Sequence, residues 1–268
     1  MKNIIVALMI IATLGGCQTV LEDVTVPTIP VKPVVFANLN QINNVSRIQL
    51  TKSKPIINNS TSYEYDAIPD ATVTVSNGSS TYSFTYSALT RDYYYLGVLP
   101  LNAGDSYLFS ALTSEFGEVK GAVEMPQPIG AYNLTLDSIV RKEEIEYILK
   151  IEVPNTAADQ YYRIEAFNGY GNDTVEVYSD KEYHSDEDVT SSTISLNTKL
   201  YSWEGSGGNS PKLFVIISAI TKDHYRYGKV LKNYEPDNPF AEPTPLPNNI
   251  EGGLGIFTLS NSQIIKIE

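Results

Sequence analysis

The sequence predicts an all-β protein of two β-sandwich-like domains with one short helix near the C-terminus. Segments that alternate polar and apolar residues recur along the chain, as at Ser46–Thr51, Ala71–Ser76 and Tyr82–Tyr86. Such alternation is typical of strands that bury one face. Asn77-Gly78 separates the last two segments and favours a hairpin, because this pair accepts positive φ. Short strands at this spacing indicate a sandwich or a barrel.

The first predicted domain covers residues 34–125. After the hairpin, strand-like segments continue to its end, with turn residues at 102–105 and 115–117 between them: Tyr94–Leu99, Ser106–Leu112 and Val119–Val123. Glycine, asparagine and aspartate in these turns are the residues that reverse a chain most readily.

A proline-rich break at Met125–Gly130 predicts a domain boundary, because proline donates no ladder hydrogen bond. Residues 131–268 then form the second predicted domain, which is also β-rich. Leu213–Ile220 is almost entirely apolar and predicts a central strand buried on both faces. Other long segments of β-branched and aromatic residues precede it: Leu134–Val140, Ile145–Val153 and Tyr161–Phe167.

One helix is predicted from about Lys222 to Lys232. Thr221 can cap its start, and Asp223 lies in the first turn, where the helix dipole favours an anion. Gly228 weakens the prediction, since glycine inside a helix costs about 1 kcal/mol relative to alanine. His224 is predicted to be a residue of the helix surface.

The N-terminus predicts a lipoprotein signal peptide at residues 1–16. Lys2 precedes an apolar run, Ile4–Leu14, that is too short to span a bilayer, for which about 20 residues are needed. Leu14-Gly15-Gly16-Cys17 resembles the bacterial lipobox, in which the cysteine thiol carries the lipid. An ordinary signal peptide with a chance cysteine, or an uncleaved anchor, is the alternative.

Residues 17–33 predict a tether between this lipid and the folded body. Pro27, Pro30 and Pro33 favour an extended chain. The expected location is the outer membrane, with the body facing the cell surface or the periplasm. Glu22 and Asp23 loosely resemble an acidic surface-export signal.

The composition of the chain excludes several classes of function. The chain has 268 residues and a net charge of −12, which argues against nucleic acid as a partner. Its single cysteine excludes an internal disulfide and a cysteine-rich zinc site. Neither H-E-x-x-H nor G-x-S-x-G occurs. We therefore expect no cofactor, no established metal site and no enzymatic activity.

An acidic segment at 173–188 is the weak candidate for a metal. Calcium takes six to eight oxygen ligands, which such a cluster can supply, although the spacing does not match an EF-hand. Asp180, Asp186 and Asp188 are the calcium ligands to test first. The alternative is a solvated acidic loop.

Tyrosine is frequent, with 19 residues and runs at 93–95 and 161–162. Neighbours in a strand point to opposite faces, so each run exposes a ring or lines a groove. Tyr94 and Tyr161 are therefore possible ligand contacts, and half-buried strand residues are the alternative. The ligand itself stays unknown.

The C-terminal segment begins with a predicted proline-rich strap at 236–248. Gly252-Gly253-Leu254-Gly255 follows, and a structural turn suits it better than a phosphate loop, because the third glycine of the dinucleotide fingerprint is missing. Ile256 and Phe257 are predicted to open a final strand.

These C-terminal residues resemble a known family. Pro239-Phe240, Asn249-Ile250 and Gly252–Phe257 are similar to the C-terminal signature of a Bacteroidetes-type lipoprotein family, domain of unknown function 4249. Asp70–Val75 and Gln160–Ile164 are similar to two of its strands, with Gln160 in place of the usual asparagine. The resemblance implies two β-rich domains, the first immunoglobulin- or transthyretin-like. It also implies association with TonB-dependent outer-membrane transporters, and it supplies no catalytic residues.

Two functions follow from the sequence as hypotheses. The first is an outer-membrane lipoprotein that is a non-enzymatic accessory or ligand-binding partner of a TonB-dependent nutrient transporter. The second is a structural or adhesive cell-surface lipoprotein. A hydrolase would need a cleft with a perturbed pair of carboxylates, and no pair is singled out by the sequence.

Overall fold

A computed structural model describes residues 30–54, 65–141, 144–156, 159–170, 174–187, 189–203, 212–234 and 244–267. The protein is predominantly β with one short helix in these ranges, as predicted. No helix among the described residues is long and apolar enough to cross a membrane.

Sixteen strands and one helix make up the described chain. The helix is α1 (Lys222–Lys232), between β14 and β15. The strands are β1 Pro33–Asn40, β2 Val45–Lys52, β3 Thr72–Ser76, β4 Thr81–Ser87, β5 Asp92–Leu96, β6 Ser106–Thr113, β7 Gly117–Glu124, β8 Asn133–Arg141, β9 Glu144–Pro154, β10 Tyr161–Tyr170, β11 Thr174–Tyr178, β12 Glu182–Ser185, β13 Thr193–Trp203, β14 Lys212–Ile220, β15 Ile250–Glu251 and β16 Leu254–Ile267.

Thirteen of the strands form one large curled sheet. Its order is β11-β10-β14-β16-β1-β2-β5-β4-β3-β6-β7-β15, and β12 also pairs with β10. A second sheet has the order β13-β9-β8. The predicted hairpin at Asn77-Gly78 is confirmed, because β3 and β4 pair antiparallel across it and Gly78 has a φ of 82°.

The long strand β16 runs through both halves of the molecule. Its first half pairs in parallel with β1, from Val34↔Leu254 to Asn40↔Ser260. Its second half pairs antiparallel with β14, from Ile220↔Ser260 to Leu213↔Ile267. One face of β16 therefore contributes to two hydrophobic cores.

The first core lies inside the curled part of the large sheet, and its largest fully buried side chains include Tyr93, Tyr107, Phe109 and Phe257. The second core lies between the β10-β14-β16 part of that sheet and the β13-β9-β8 sheet, around residues such as Leu149, Ile164, Leu196 and Val215. The domain division at 125–131 stays a prediction. Residues that follow it in sequence, Ile250, Phe257 and Leu259, pack in the first core.

Glycines let β16 approach its neighbours. Gly255 has a φ of 110°, and a Cβ atom there would overlap the main-chain oxygen of Val35. Gly253 lies so close to β1 that a Cβ would come 2.8 Å from the main-chain oxygen of Pro33. The glycine-rich segment therefore serves close packing, which only a residue without a side chain permits.

Helix α1 has the predicted bounds. Its N-cap residue Thr221 accepts a hydrogen bond from the main-chain nitrogen of His224 at 3.3 Å. The prediction that His224 lies on the surface is wrong, since its side chain is buried. His224 and Gly228 form the face that packs on the sheet, and the ring of Tyr183 from β12 occupies the space that a Cβ at Gly228 would need.

Candidate functional site

A cleft of about 950 Å³ lies beside the linker that joins the two cores. Its walls are the linker 124–131, the end of β9, the start of β10 and the junction of β14 with α1. Ligand sites are commonly concave and found between packed units, which makes this cleft the candidate functional site. We call it the junction cleft.

The linker side of the junction cleft is held in place by hydrogen bonds from β16. Asn261 Nδ2 donates to the main-chain oxygen of Pro126 at 3.0 Å. Gln263 Nε2 donates to the main-chain oxygen of Ile129 at 2.9 Å. Met125 and Ile129 are buried and supply an apolar floor. This wall is therefore preformed.

The opposite wall is polar and centres on Tyr161. The Tyr161 hydroxyl donates to Glu187 Oε1 at 2.9 Å and lies 3.2 Å from Asp159 Oδ1. Lys222 Nζ, at the start of α1, lies 2.9 Å from the same Glu187 oxygen. It also lies 5.5 Å from the centroid of the Tyr161 ring, within the range of a cation–π contact.

The charges on this wall reinforce one another. Hydrogen bonds from Lys222 and Tyr161 lower the pKa of the Glu187 carboxyl group. Hydrogen bonds to Tyr161 and Glu187 raise the pKa of Lys222, and burial raises the pKa of Tyr161. At neutral pH the wall therefore presents an ammonium group and a neutral phenol, and the Glu187 carboxylate that holds both lies beside the cleft without lining it.

Gln160 completes this wall. Its main-chain nitrogen donates to Asp186 Oδ1 at 3.0 Å, and its Nε2 donates to the Tyr162 hydroxyl at 3.1 Å. Its Oε1 is buried and accepts no hydrogen bond from the described residues. The junction cleft thus combines an apolar floor with a small number of polar groups, as ligand pockets do.

The structure separates the two tyrosines predicted as ligand contacts. Tyr161 lines the junction cleft. Tyr94 is half-buried on β5, opposite Arg47 of β2 and Thr85 of β4, and it does not line the cleft. Ligand contact by either residue stays a prediction.

The three calcium candidates have different positions. Asp186 accepts the hydrogen bond from Gln160, Asp180 lines a different cavity beneath α1, and Asp188 lies outside the described residues. Within the described ranges, no group of three His, Cys, Asp or Glu side chains is placed to hold a metal ion. Cys17 and the signal peptide also lie outside the described residues.

Sequence reasoning missed Lys222, Gln160 and the linker as parts of one site. The sequence predicts the linker only as a domain boundary, and Lys222 only as the first residue of a helix. The proline-rich break is the sequence feature that indicates this site. It marks a junction between two packed units, and pockets form preferentially at such junctions.

Fold and cleft together define the class: a predominantly β protein with a preformed, ligand-sized cleft at the junction of two hydrophobic cores. The chain belongs to the family described as domain of unknown function (DUF4249), whose sequence profile matches residues 22–264. No curated protein matches the chain.

Proposed function

We propose that the protein is an outer-membrane lipoprotein, anchored through Cys17, that acts as a non-enzymatic accessory or ligand-binding partner of a TonB-dependent nutrient transporter. The junction cleft is the observation that carries the binding part of this proposal. It is fixed by hydrogen bonds on one side, and it offers Tyr161 and Lys222 on the other. A cleft of about 950 Å³ is of the size that holds small ligands.

The anchor and the location rest on the sequence. The lipobox-like Leu14–Cys17 supports a lipid on Cys17, and the family resemblance supports a Bacteroidetes-type lipoprotein beside a transporter. Acyl chains contribute about 0.8 kcal/mol per buried methylene, so two or more chains hold a protein stably on a membrane. The body faces the cell surface in this proposal.

We also propose that the two cores correspond to two sandwich-like domains, the first immunoglobulin- or transthyretin-like. The separate hydrophobic clusters support this division. Because β16 contributes to both, the two domains would unfold together. A single unfolding transition followed by both near-UV circular dichroism and hydrogen exchange supports this arrangement, and two separated transitions contradict it.

Purification of the native protein from cross-linked membranes tests the proposed function. The expected result is co-purification of a TonB-dependent transporter with the wild-type protein. Cys17→Ser, the matched control, should leave the membrane fraction and lose the transporter. Recovery of the anchored wild-type protein without a transporter contradicts the proposal.

The alternative is a structural or adhesive surface lipoprotein. A deletion strain separates the two functions. A growth defect confined to one nutrient supports the transport accessory, whereas loss of attachment with normal growth on every nutrient supports adhesion.

A further inference from the structure

A second cavity, of about 620 Å³, lies between helix α1 and the outer face of the large sheet. We call it the subhelical cavity. It lies apart from the junction cleft, because the two share no lining residue. Its polar lining includes Asn38 of β1, Arg163 and Glu165 of β10, Thr258 of β16 and His224 of α1.

Two opposite charges lie on its β10 wall. Arg163 and Glu165 are 8% and 9% exposed, so both are more than nine-tenths buried. They are two residues apart on one strand, so they share a face, with Cα atoms about 6.7 Å apart. The intervening Ile164 faces the second core instead.

Neither charge has an ionic partner within the described part of the chain. Arg163 Nη2 donates to Ser218 Oγ at 3.4 Å, and Arg163 Nε is buried without a hydrogen-bond partner there. Arginine stays charged and offers five N–H donors, so much of its capacity is unused. A buried charge without a partner is costly, and a bound group of opposite charge removes that cost.

The α1 wall adds a neutral donor. Burial, reinforced by the positive charges of Arg163 and Lys181, lowers the pKa of His224 to about 3, so the imidazole is uncharged at neutral pH. Asn38 Nδ2 lies 3.4 Å from His224 Nε2 and donates to it, because Asn38 Oδ1 accepts from Ser260. The proton of the imidazole is therefore on Nδ1, which has no partner among the described residues.

The rest of the lining holds both polar and apolar residues. Ser179, Asp180, Lys181 and Lys232 are polar or charged, and an apolar part lies beside them. Phe36 and Tyr227 lie with their ring centroids 5.9 Å apart. Leu231 and Ile256 also line the cavity, and Leu231 is exposed at its edge. This part of the cavity suits a hydrophobic or aromatic group beside the charged wall.

We propose that the subhelical cavity binds a free amino acid with an apolar side chain. Its carboxylate would pair with Arg163, its ammonium group with Glu165, and its side chain would pack against Phe36, Tyr227 and Leu231. Guanidinium and carboxylate groups form strong, directional hydrogen bonds, which suits such recognition. A simple anion satisfies Arg163 and offers no positive charge to Glu165, so the zwitterion is the better match.

The experiment uses the detergent-solubilised full-length protein and calorimetry at neutral pH. The probes are L-phenylalanine and L-leucine, then L-phenylalaninamide, which lacks the carboxylate, and 3-phenylpropionate, which lacks the ammonium group. At least one amino acid should bind, and each matched analogue should bind at least about tenfold more weakly, the loss expected for one charge-assisted contact. Absence of binding by both amino acids, or equal binding of an analogue, overturns the proposal.

Two variants assign the contacts. Glu165→Gln should remove the preference for L-phenylalanine over 3-phenylpropionate. Arg163→Gln should remove the preference for L-phenylalanine over L-phenylalaninamide. Glu251→Gln, an exposed carboxylate on β15, is the control and should change neither preference. Circular dichroism checks that each variant is folded. If either variant does not fold, the ligand series on the wild-type protein decides alone. This proposal does not rest on the transporter, because purified protein suffices to test it.

Discussion

The side-chain amide of Asn249 pairs with the main chain of Phe257 through both of its ends. Nδ2 donates to the Phe257 oxygen at 2.8 Å, and Oδ1 accepts from the Phe257 nitrogen at 2.9 Å. The amide thus takes the place of a neighbouring strand at the start of β16. Because Ile250 of β15 pairs with Gly121 of β7, Asn249 connects β7 to β16 and draws together the two ends of the first core's sheet.

Asn249→Ala should therefore destabilise the protein by about 2–3 kcal/mol, since two hydrogen bonds are lost and the main-chain groups of a buried residue lose their partners. Urea unfolding measures the change. Asn248→Ala is the comparison, because this exposed side chain makes only long hydrogen bonds with the main chain of Ile250, both of 3.4 Å, and its loss should cost less than about 1 kcal/mol. Equal unfolding midpoints for the two variants would contradict the role of Asn249.

Gly255→Ala should lower the free energy of unfolding by at least about 2 kcal/mol more than Gly78→Ala does. Both glycines have positive φ, at 110° and 82°, so alanine strains the backbone at either position. Space distinguishes them, because a Cβ at 255 overlaps the Val35 oxygen, whereas nothing lies within 4 Å of a Cβ at 78. Chemical unfolding of both variants measures the difference, and equal losses would show that β1 and β16 can separate at no cost.

Local features of this fold were predictable from the sequence. The bounds of α1 follow from the threonine cap at 221 and the spacing inside the helix, and the β3–β4 hairpin follows from Asn77-Gly78. Each depends on residues that are close in sequence, for which side-chain pattern and backbone preference decide the conformation.

Long-range features were not predictable in the same way. The parallel pairing of β1 with β16 joins Val34 to Leu254, and no local pattern specifies such a partner. The burial of His224 depends on the sheet beneath α1, so its helix alone suggests a surface position. For the same reason, the sequence predicts Tyr161 as a single candidate and gives no sign that Glu187 and Lys222 lie beside it.

Gly228→Ala should destabilise the protein although alanine favours a helix. The helix gains about 1 kcal/mol from the substitution, but overlap with Tyr183 costs about 1–3 kcal/mol, and more where nothing can shift. In a Tyr183→Ala background the overlap is gone, and Gly228→Ala should then be stabilising. A double-mutant cycle by thermal unfolding measures this coupling. The same loss in both backgrounds would exclude the Tyr183 ring as its cause.

The pKa of His224 predicts a loss of stability on mild acidification. The folded state holds this pKa at about 3, against 6.5 for an unperturbed histidine, so the unfolded state takes up a proton first as the pH falls. The stabilisation that comes from holding His224 neutral in the folded state is fully present above pH 6.5. It is lost progressively as the pH falls towards 3. Between about pH 6.5 and pH 5 the wild-type protein should lose about 2 kcal/mol more than His224→Gln.

Urea unfolding at a series of pH values measures this difference. Burial also lowers the pKa of His184, so His184→Gln is the matched control. This variant should still show the loss of unfolding free energy between about pH 6.5 and pH 5 that is due to His224. Parallel profiles for wild-type protein and His224→Gln would show that the imidazole is not held neutral in the folded state.

Two side-chain amides of β16 hold the linker, so we expect the linker to resist proteolysis. Asn261 and Gln263 lie in the middle of β16 and donate to the oxygens of Pro126 and Ile129. Replacing both by alanine should lower stability by about 2 kcal/mol and speed cleavage within 126–131, because the linker then opens without unfolding of either core. Subtilisin digestion with mass spectrometry locates the cuts. Gln127 is an exposed residue of the same linker, so the control variant Gln127→Ala should be cleaved at the same rate as the wild-type protein. Unchanged cleavage of the double variant would mean that the amides do not fix this wall of the junction cleft.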